Sequence, residues 1–187
     1  MALTRIGLNQ SINLASNVTG TLPVANGGTA LTSGFVNGGV MTPAFEAVVA
    51  SNQSLTDATT TKVIYGSEVY DTDNCYDSST NYRFTPTTAG KYFVYASAYC
   101  DAEASDNLNV SDLNIYKNGS YYSRSYNYFH GSPGRLYNNF VSATIDFNGS
   151  SDYVEIYVSI EDASSNPKLA APNGYRDNKF GAFRIIT

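Results

Sequence analysis

The chain has 187 residues, a net charge of −5 and charged side chains at only 14% of its positions. No cluster of lysine or arginine supplies the basic patch of a nucleic-acid binder, and no apolar run approaches the roughly 18 residues that a membrane span needs. The length suits one domain plus an appendage.

Residues 1–46 differ from the rest. They are polar and rich in Gly, Asn and Thr, with short apolar pairs of strand-like period: Ile6/Leu8, Ile12/Leu14 and Leu22/Val24. Val24-Ala25-Asn26-Gly27-Gly28 and Phe35-Val36-Asn37-Gly38-Gly39 form an imperfect repeat spaced by eleven residues. A segment of this composition cannot bury enough of itself to offset its conformational entropy. It is expected to lie against a partner, either its own copies or a larger assembly, because only other chains can satisfy its backbone groups. The opening, Met1 to Gly7, has no continuous apolar core of the kind a signal peptide needs. If the protein leaves a cell, release by lysis inside a particle is the expected route.

Thr42 to Phe45 reads as a turn and Ala44 to Ala50 as the first strand of the following domain, with Ser51 to Thr61 as a polar loop. Lys62 to Tyr70 reads as one strand with a bulge at Gly66. Asp71, Asp73 and Asp77 share one phase and could face a single cation, since Ca²⁺ takes several oxygen ligands from one loop. The EF-hand pattern fails, however: Tyr76 stands where its glycine belongs and Tyr82 replaces its last Glu. A solvated turn without metal is expected.

Tyr82-Arg83-Phe84-Thr85 alternates and is stopped by Pro86, which lacks a donor. Gly90 then allows a return into a second aromatic strand, Lys91 to Ala98. An antiparallel hairpin with a five-residue connection is predicted. Cys75 and Cys100 bracket it; a bridge is open, but a reducing cytosol favours two free thiols.

Asp101 to Asp106 is an acidic loop. Leu108 to Tyr116 is a half-buried strand whose apolar phase slips between Val110 and Leu113, as a bulge would produce. Asn118-Gly119 is the strongest hairpin signal in the chain. Ser120 to Asn139 holds five tyrosines, two arginines and the only histidine, with a strand expected from Tyr121 to Tyr128 and a loop tip at Gly131 to Gly134. Phe140 to Phe147 and Tyr153 to Ile160 are strands around Asn148-Gly149-Ser150. Glu161 to Lys179 is a long loop, and Phe180 to Ile186 a closing strand. Eight to ten short strands, no helix and all-β turn spacing lead to a two-sheet jelly roll.

Four pieces, in order, resemble the globular head of complement C1q and its tumour-necrosis-factor-like relatives. They are Tyr76-Asp77 with the Phe84-Thr85-Pro86 to Val94 stretch, the Lys117-Asn118-Gly119 turn, Phe140 to Val158, and Phe180 to Ile185. The resemblance implies an all-β, C1q/TNF-like jelly-roll head, 47–187, preceded by an extended N-terminal β stem, 1–46. It also implies a homotrimer with aromatic inner faces packed along the axis, which sixteen tyrosines and nine phenylalanines suit. Separately, Val18 to Thr29 resembles the V-T-G-T-L-P-V-A-N-G-G-T-G element of bacteriophage tail fibres and related virion proteins, with Ala30 in place of its last glycine. That implies a virion protein, with Leu14, Val18, Leu22, Pro23 and Val24 anchoring it to tail or capsid proteins.

No catalytic constellation is legible. A serine triad would have to use His130, which has no G-x-S-x-G context nearby, and nothing ties two of the glutamates into a glycoside-cleaving pair. Neither a phosphate-binding loop nor a Cys/His metal spacing occurs, so neither catalysis nor a cofactor is expected. Loops rich in Tyr, Ser, Asn and Gly suit adaptable recognition instead. Tyr126, Tyr128, His130 and Arg135, with Tyr175 and Arg176 from the later loop, are the candidate ligand-binding residues, for a host-surface glycan or protein. The expected role is a trimeric short tail fibre or spike; the alternative is a capsid decoration protein held by its N-terminal arm.

Overall fold

The computed structural model describes residues 41–171 and 177–186. The anchoring candidates Leu14, Val18, Leu22, Pro23 and Val24, and the loop candidates Tyr175 and Arg176, lie outside the described residues. One compact unit begins at Met41. It takes in 41–46, which the division at 46/47 assigns to the first segment, because the first strand already starts at Ala44.

The strands are β1 (Ala44–Val48), β2 (Gln53–Ser54), β3 (Thr61–Lys62), β4 (Ser67–Asp71), β5 (Tyr76–Asp77), β6 (Arg83–Phe84), β7 (Gly90–Asp101), β8 (Leu108–Lys117), β9 (Ser120–Tyr128), β10 (Leu136–Phe147), β11 (Val154–Asp162), β12 (Lys168–Leu169) and β13 (Lys179–Ile186). No helix occurs among the described residues. In the seven-stranded sheet β10 flanks β7 on one side, with β13, β1 and β4 following on the other; on that same side β12 pairs directly with the last residues of β7, past the end of β13, and carries β2. The six-stranded sheet runs β5-β6-β11-β8-β9, with β3 also on β11. All pairings are antiparallel. Two sheets face to face with chain crossing repeatedly between them make the expected jelly roll.

Period-two burial builds the core. Tyr92, Val94, Ala96, Ala98 and Cys100 point inward from β7, and Val154, Ile156, Val158 and Ile160 from β11. Phe45 joins the sheets: its ring stacks on Tyr76 at 4.5 Å and Phe84 at 4.6 Å, and meets Phe180 edge-on at 4.8 Å. Cys75 and Cys100 are both free thiols and both buried. Each has its own hydroxyl neighbour, Thr87 for Cys75 and Ser111 for Cys100, and burial pushes the Cys100 thiol up to about 12.

Three sequence expectations are corrected. The predicted hairpin from Tyr82 to Ala98 does not form: β6 belongs to the six-stranded sheet and β7 to the seven-stranded one. Pro86 and Gly90 mark a crossover between sheets. Residues 148–152 make the reverse crossover beside it, so a Cβ at Gly149 (φ 72°) would lie 2.3 Å from the Ala89 nitrogen. Lys62 to Tyr70 is likewise two strands in different sheets. The linking Val63 and Tyr65 stay fully buried, which is why the alternation looked continuous. The bulge in β8 falls at Asn109, where Val110 pairs with Glu161 and Leu108 with Asp162. It turns Leu108 and Leu113 into the same core and leaves Val110 outside that cluster.

The outward face of the seven-stranded sheet is apolar at its centre. Phe93 and Phe183 pair with ring centroids 5.6 Å apart, and the Tyr95 ring lies across Gly181 with its hydroxyl donating to Glu46 at 2.8 Å. Burial, and next the hydrogen bond to Glu46, push the Tyr95 phenol far above its ordinary value. Phe140, 51% exposed, stands beside this row on β10, which brings Ser142 and Thr144 opposite Tyr95 and Phe93.

Candidate functional site

The Tyr-rich stretch is positioned by a turn and a buried amide. Asn118 (φ 52°) and Gly119 (φ 74°) supply the left-handed pair of a two-residue hairpin turn, which folds β9 back along β8. The Asn118 amide donates to Asp152 at 2.8 Å, and Lys117 lies 3.1 Å from the same carboxylate, tying the turn to the 148–152 crossover. At the other end, Asn139 of β10 is fully buried and donates to Ser111 and to the Ser125 carbonyl, while Asn127 donates to Asn139. Alternation then sends Ser123, Ser125 and Asn127 inward, and Arg124, Tyr126 and Tyr128 out to solvent.

Three of the sequence-chosen residues come together there. Tyr128 is 65% exposed. The His130 ring stacks on it with centroids 4.4 Å apart and planes 15° from parallel. His130 Nε2 also lies 3.0 Å from Glu161 Oε1 of β11, so the imidazole bridges the two strands flanking β8. Tyr126 stands one outward position earlier, with the Arg124 guanidinium 4.3 Å from its ring centre. Arg135 is not part of this row: its guanidinium donates to Asp101 of β7 at 3.3 Å. Lys168 also faces that carboxylate, at 3.8 Å, and bonds Glu103.

Sequence reasoning missed the residues beneath and beside the tyrosines. Arg124 was legible, since it precedes Tyr126 by two in the same alternation. Asp112 and Asn114 of β8 were not, because they come from a different strand brought opposite Tyr126 and Arg124 by the hairpin register. The same face continues through Tyr116 and Tyr157, whose rings are 4.5 Å apart, to the Lys62–Glu155 ion pair at 2.6 Å. Lys62 also donates to the Asn81 carbonyl. Burial lowers the Lys62 ammonium, but the Glu155 contact outweighs it and the net shift is upward.

The aspartate loop is wired as a turn. Asp71 accepts the Asp73 and Tyr76 backbone N–H groups. Asp77 accepts those of Ser79, Thr80 and Asn81 as well as the Asn81 amide, and the backbone N–H of Thr80 leads in holding its carboxyl well below the ordinary range. An open polar groove of about 470 Å³ runs beside it, lined by Glu68, Cys75, Asp77, Asn81 and Arg83.

No family model and no curated protein matches the sequence. Solved structures do match the fold. Murine APRIL aligns with a TM-score of 0.54 at 10% identity, covering 76% of this chain and 98% of that one. The globular domain of zebrafish complement 1qA protein gives 0.50 at 15% identity, with 76% and 97% covered. Eiger TNF from S. frugiperda gives 0.51 at 9%, with 76% and 90% covered. At these identities the likeness speaks to fold alone: the chain has a C1q/TNF-like jelly roll.

Proposed function

We propose that this chain is a homotrimeric, non-enzymatic recognition module of a bacteriophage particle, a short tail fibre or spike that meets the host surface with the outward face of its six-stranded sheet. The observation that carries the recognition role is the exposed Tyr126, Tyr128 and His130 row, held in place by stacking, the Glu161 contact and the Asn139 network. Rigid aromatic rings add contact area with little loss of side-chain freedom, and such rings stack well on sugars and peptides. The apolar face centred on Phe93, Tyr95, Phe183 and Phe140 supports self-association, since a patch of this kind is best covered by protein. The Val18 to Thr29 element supports the virion setting, with residues 1–46 docking on tail or capsid proteins.

Immunogold electron microscopy of the particle that carries the protein tests the assignment. Labelling at the tail is the expected result. Labelling repeated over the capsid would overturn it in favour of a decoration protein. Light scattering of the purified chain is expected to give about three times 20.2 kDa.

A further inference from the structure

The outward face of the six-stranded sheet contains two buried acceptors with no donor. Asp112 Oδ1 and Asn114 Oδ1 are shut off from water and make no hydrogen bond. They are neighbours on one face of β8, as Leu113 between them points into the core. Asn114 is only 3% exposed, and its amide nitrogen donates to the Asp112 carbonyl at 3.3 Å. The register places Tyr126 and Arg124 on one side of the pair, and Ser159 and Tyr157 on the other. Buried polar atoms are nearly always paired, so two adjacent orphans under one surface patch call for a donor from outside.

The cover over them is of a kind that can move. Arg124 Nε lies 3.9 Å from Asp112 Oδ1, outside hydrogen-bond reach, and Arg124 is held over the site by stacking on Tyr126. Almost half of the Arg124 side chain is in solvent. Burial pushes the Asp112 carboxyl up, with the Arg124 charge and then the neighbouring Asn114 amide opposing the shift.

We propose that Asp112 and Asn114 form a subsite for a neutral pyranose, which donates two adjacent hydroxyls to the orphan oxygens and lays its apolar face on Tyr126 after Arg124 swings aside. This deepens, and rests on, the host-surface role proposed above. The chemistry matches group by group: a vicinal diol brings two donors a short distance apart, a carboxylate and an amide oxygen accept them, and an aromatic ring takes the C–H face. Neither acceptor has to be created on binding: both Oδ1 atoms are already shut off from water, so the hydroxyls reach them without displacing a hydrogen-bonded water.

Saturation-transfer NMR with methyl α-mannopyranoside and methyl β-galactopyranoside, backed by amide shift mapping, tests the subsite. At least one glycoside is expected to bind the intact chain at millimolar concentration, with shifts centred on β8 and β9. Asn114→Leu and Asp112→Ala are expected to weaken it at least tenfold, and Tyr126→Ala similarly. Asn114→Leu should also raise the melting temperature, because it removes an unsatisfied buried group. Tyr126→Ala, at an exposed position, provides the check should either β8 variant fail to fold. Absence of binding by both glycosides, or binding unchanged in Asn114→Leu or Tyr126→Ala, would overturn the subsite. Attachment of fluorescent chain to host cells separates the two ideas. Cell binding that survives Asp112→Ala and Asn114→Leu keeps the host-surface role and removes the subsite, while glycoside binding without cell binding does the reverse.

Discussion

The two sheets present their outward faces to the surroundings through the same strand alternation, yet the faces are chemically opposite. On the seven-stranded sheet the central positions are Phe93, Tyr95, Phe183 and Gly181, with Phe140 alongside, and the one central carboxylate, Glu46, accepts from Tyr95. The Lys91–Asp146 pair lies at the rim, on the adjacent ends of β7 and β10. On the six-stranded sheet the central positions alternate rings with charges and amides: Tyr126, Arg124, Asp112, Asn114, Tyr157, Lys62 and Glu155. An apolar face gains most by being covered permanently. A mixed face of rings and hydrogen-bonding groups can exchange water for a ligand and back. The proposed function accordingly assigns assembly to one sheet and recognition to the other.

Breaking the apolar face should have the largest effect. Phe140→Glu adds a charge to an exposed β10 position; light scattering is expected to fall from about three chains' mass to one, 20.2 kDa, with the melting profile of the domain retained. An unchanged trimer would dismiss this face as the interface. Gly181→Val comes next. A Cβ there would sit 2.4 Å from the Tyr95 ring and 2.9 Å from the Phe45 carbonyl, so the ring must leave Glu46 and β13 must shift. Overpacking of this kind costs about 3 kcal/mol, measurable by urea denaturation.

The polar face responds through its charges. Lys62→Met leaves the Glu155 carboxylate, 5% exposed, without its cation. A loss of about 2 kcal/mol is expected in the same denaturation measurement, and a Lys62→Met, Glu155→Leu double variant should recover much of it. At the edge of this sheet Asp77 carries a pH signature. Its carboxyl is held below its unfolded value of about 3.9. Its stabilising effect is thus complete above that value and disappears as pH falls through the folded one. Melting temperature should drop steeply below about pH 4, and more shallowly in Asp77→Asn. The smallest effect is expected at the rim. Lys91 and Asp146 are largely in solvent, so Lys91→Ser should change stability by no more than about 0.5 kcal/mol.

The strands themselves were legible because each buries alternate side chains, and alternation survives in sequence. β8, β9, β10, β11 and β13 lie close to where the apolar pattern and the Asn118-Gly119 signal put them. Partners were not legible. Pro86 and Gly90 end one strand and begin another in a hairpin and in a sheet-to-sheet crossover alike; only the steric fit of Gly149 against Ala89 tells which. Val63 and Tyr65 bury themselves while changing sheets, so burial disguised that crossover as one strand. In the candidate site the exposed ring row was readable along β9, since Tyr126 and Tyr128 are two apart. Arg135 looked equally suitable by composition, yet a buried carboxylate on another strand, Asp101, captures it. Asp112 and Asn114 could not be found at all, because what distinguishes them is a missing partner, and only packing decides that.

β13 lies between β1 and β7 and is hydrogen-bonded to both. The first strand among the described residues therefore waits for the last of them before it has a neighbour on that side. During synthesis, β7 and β1 must leave the ribosome with open edges, and the seven-stranded sheet cannot close until the codons for Phe180 to Ile186 have been read. Such long-range pairing is slow and leaves edges exposed to other nascent chains. Ribosomes stalled just before Lys179 should hold a chain that proteases cut freely, and those paused well beyond Ile186 a resistant one. The decisive folding step belongs to the closing strand.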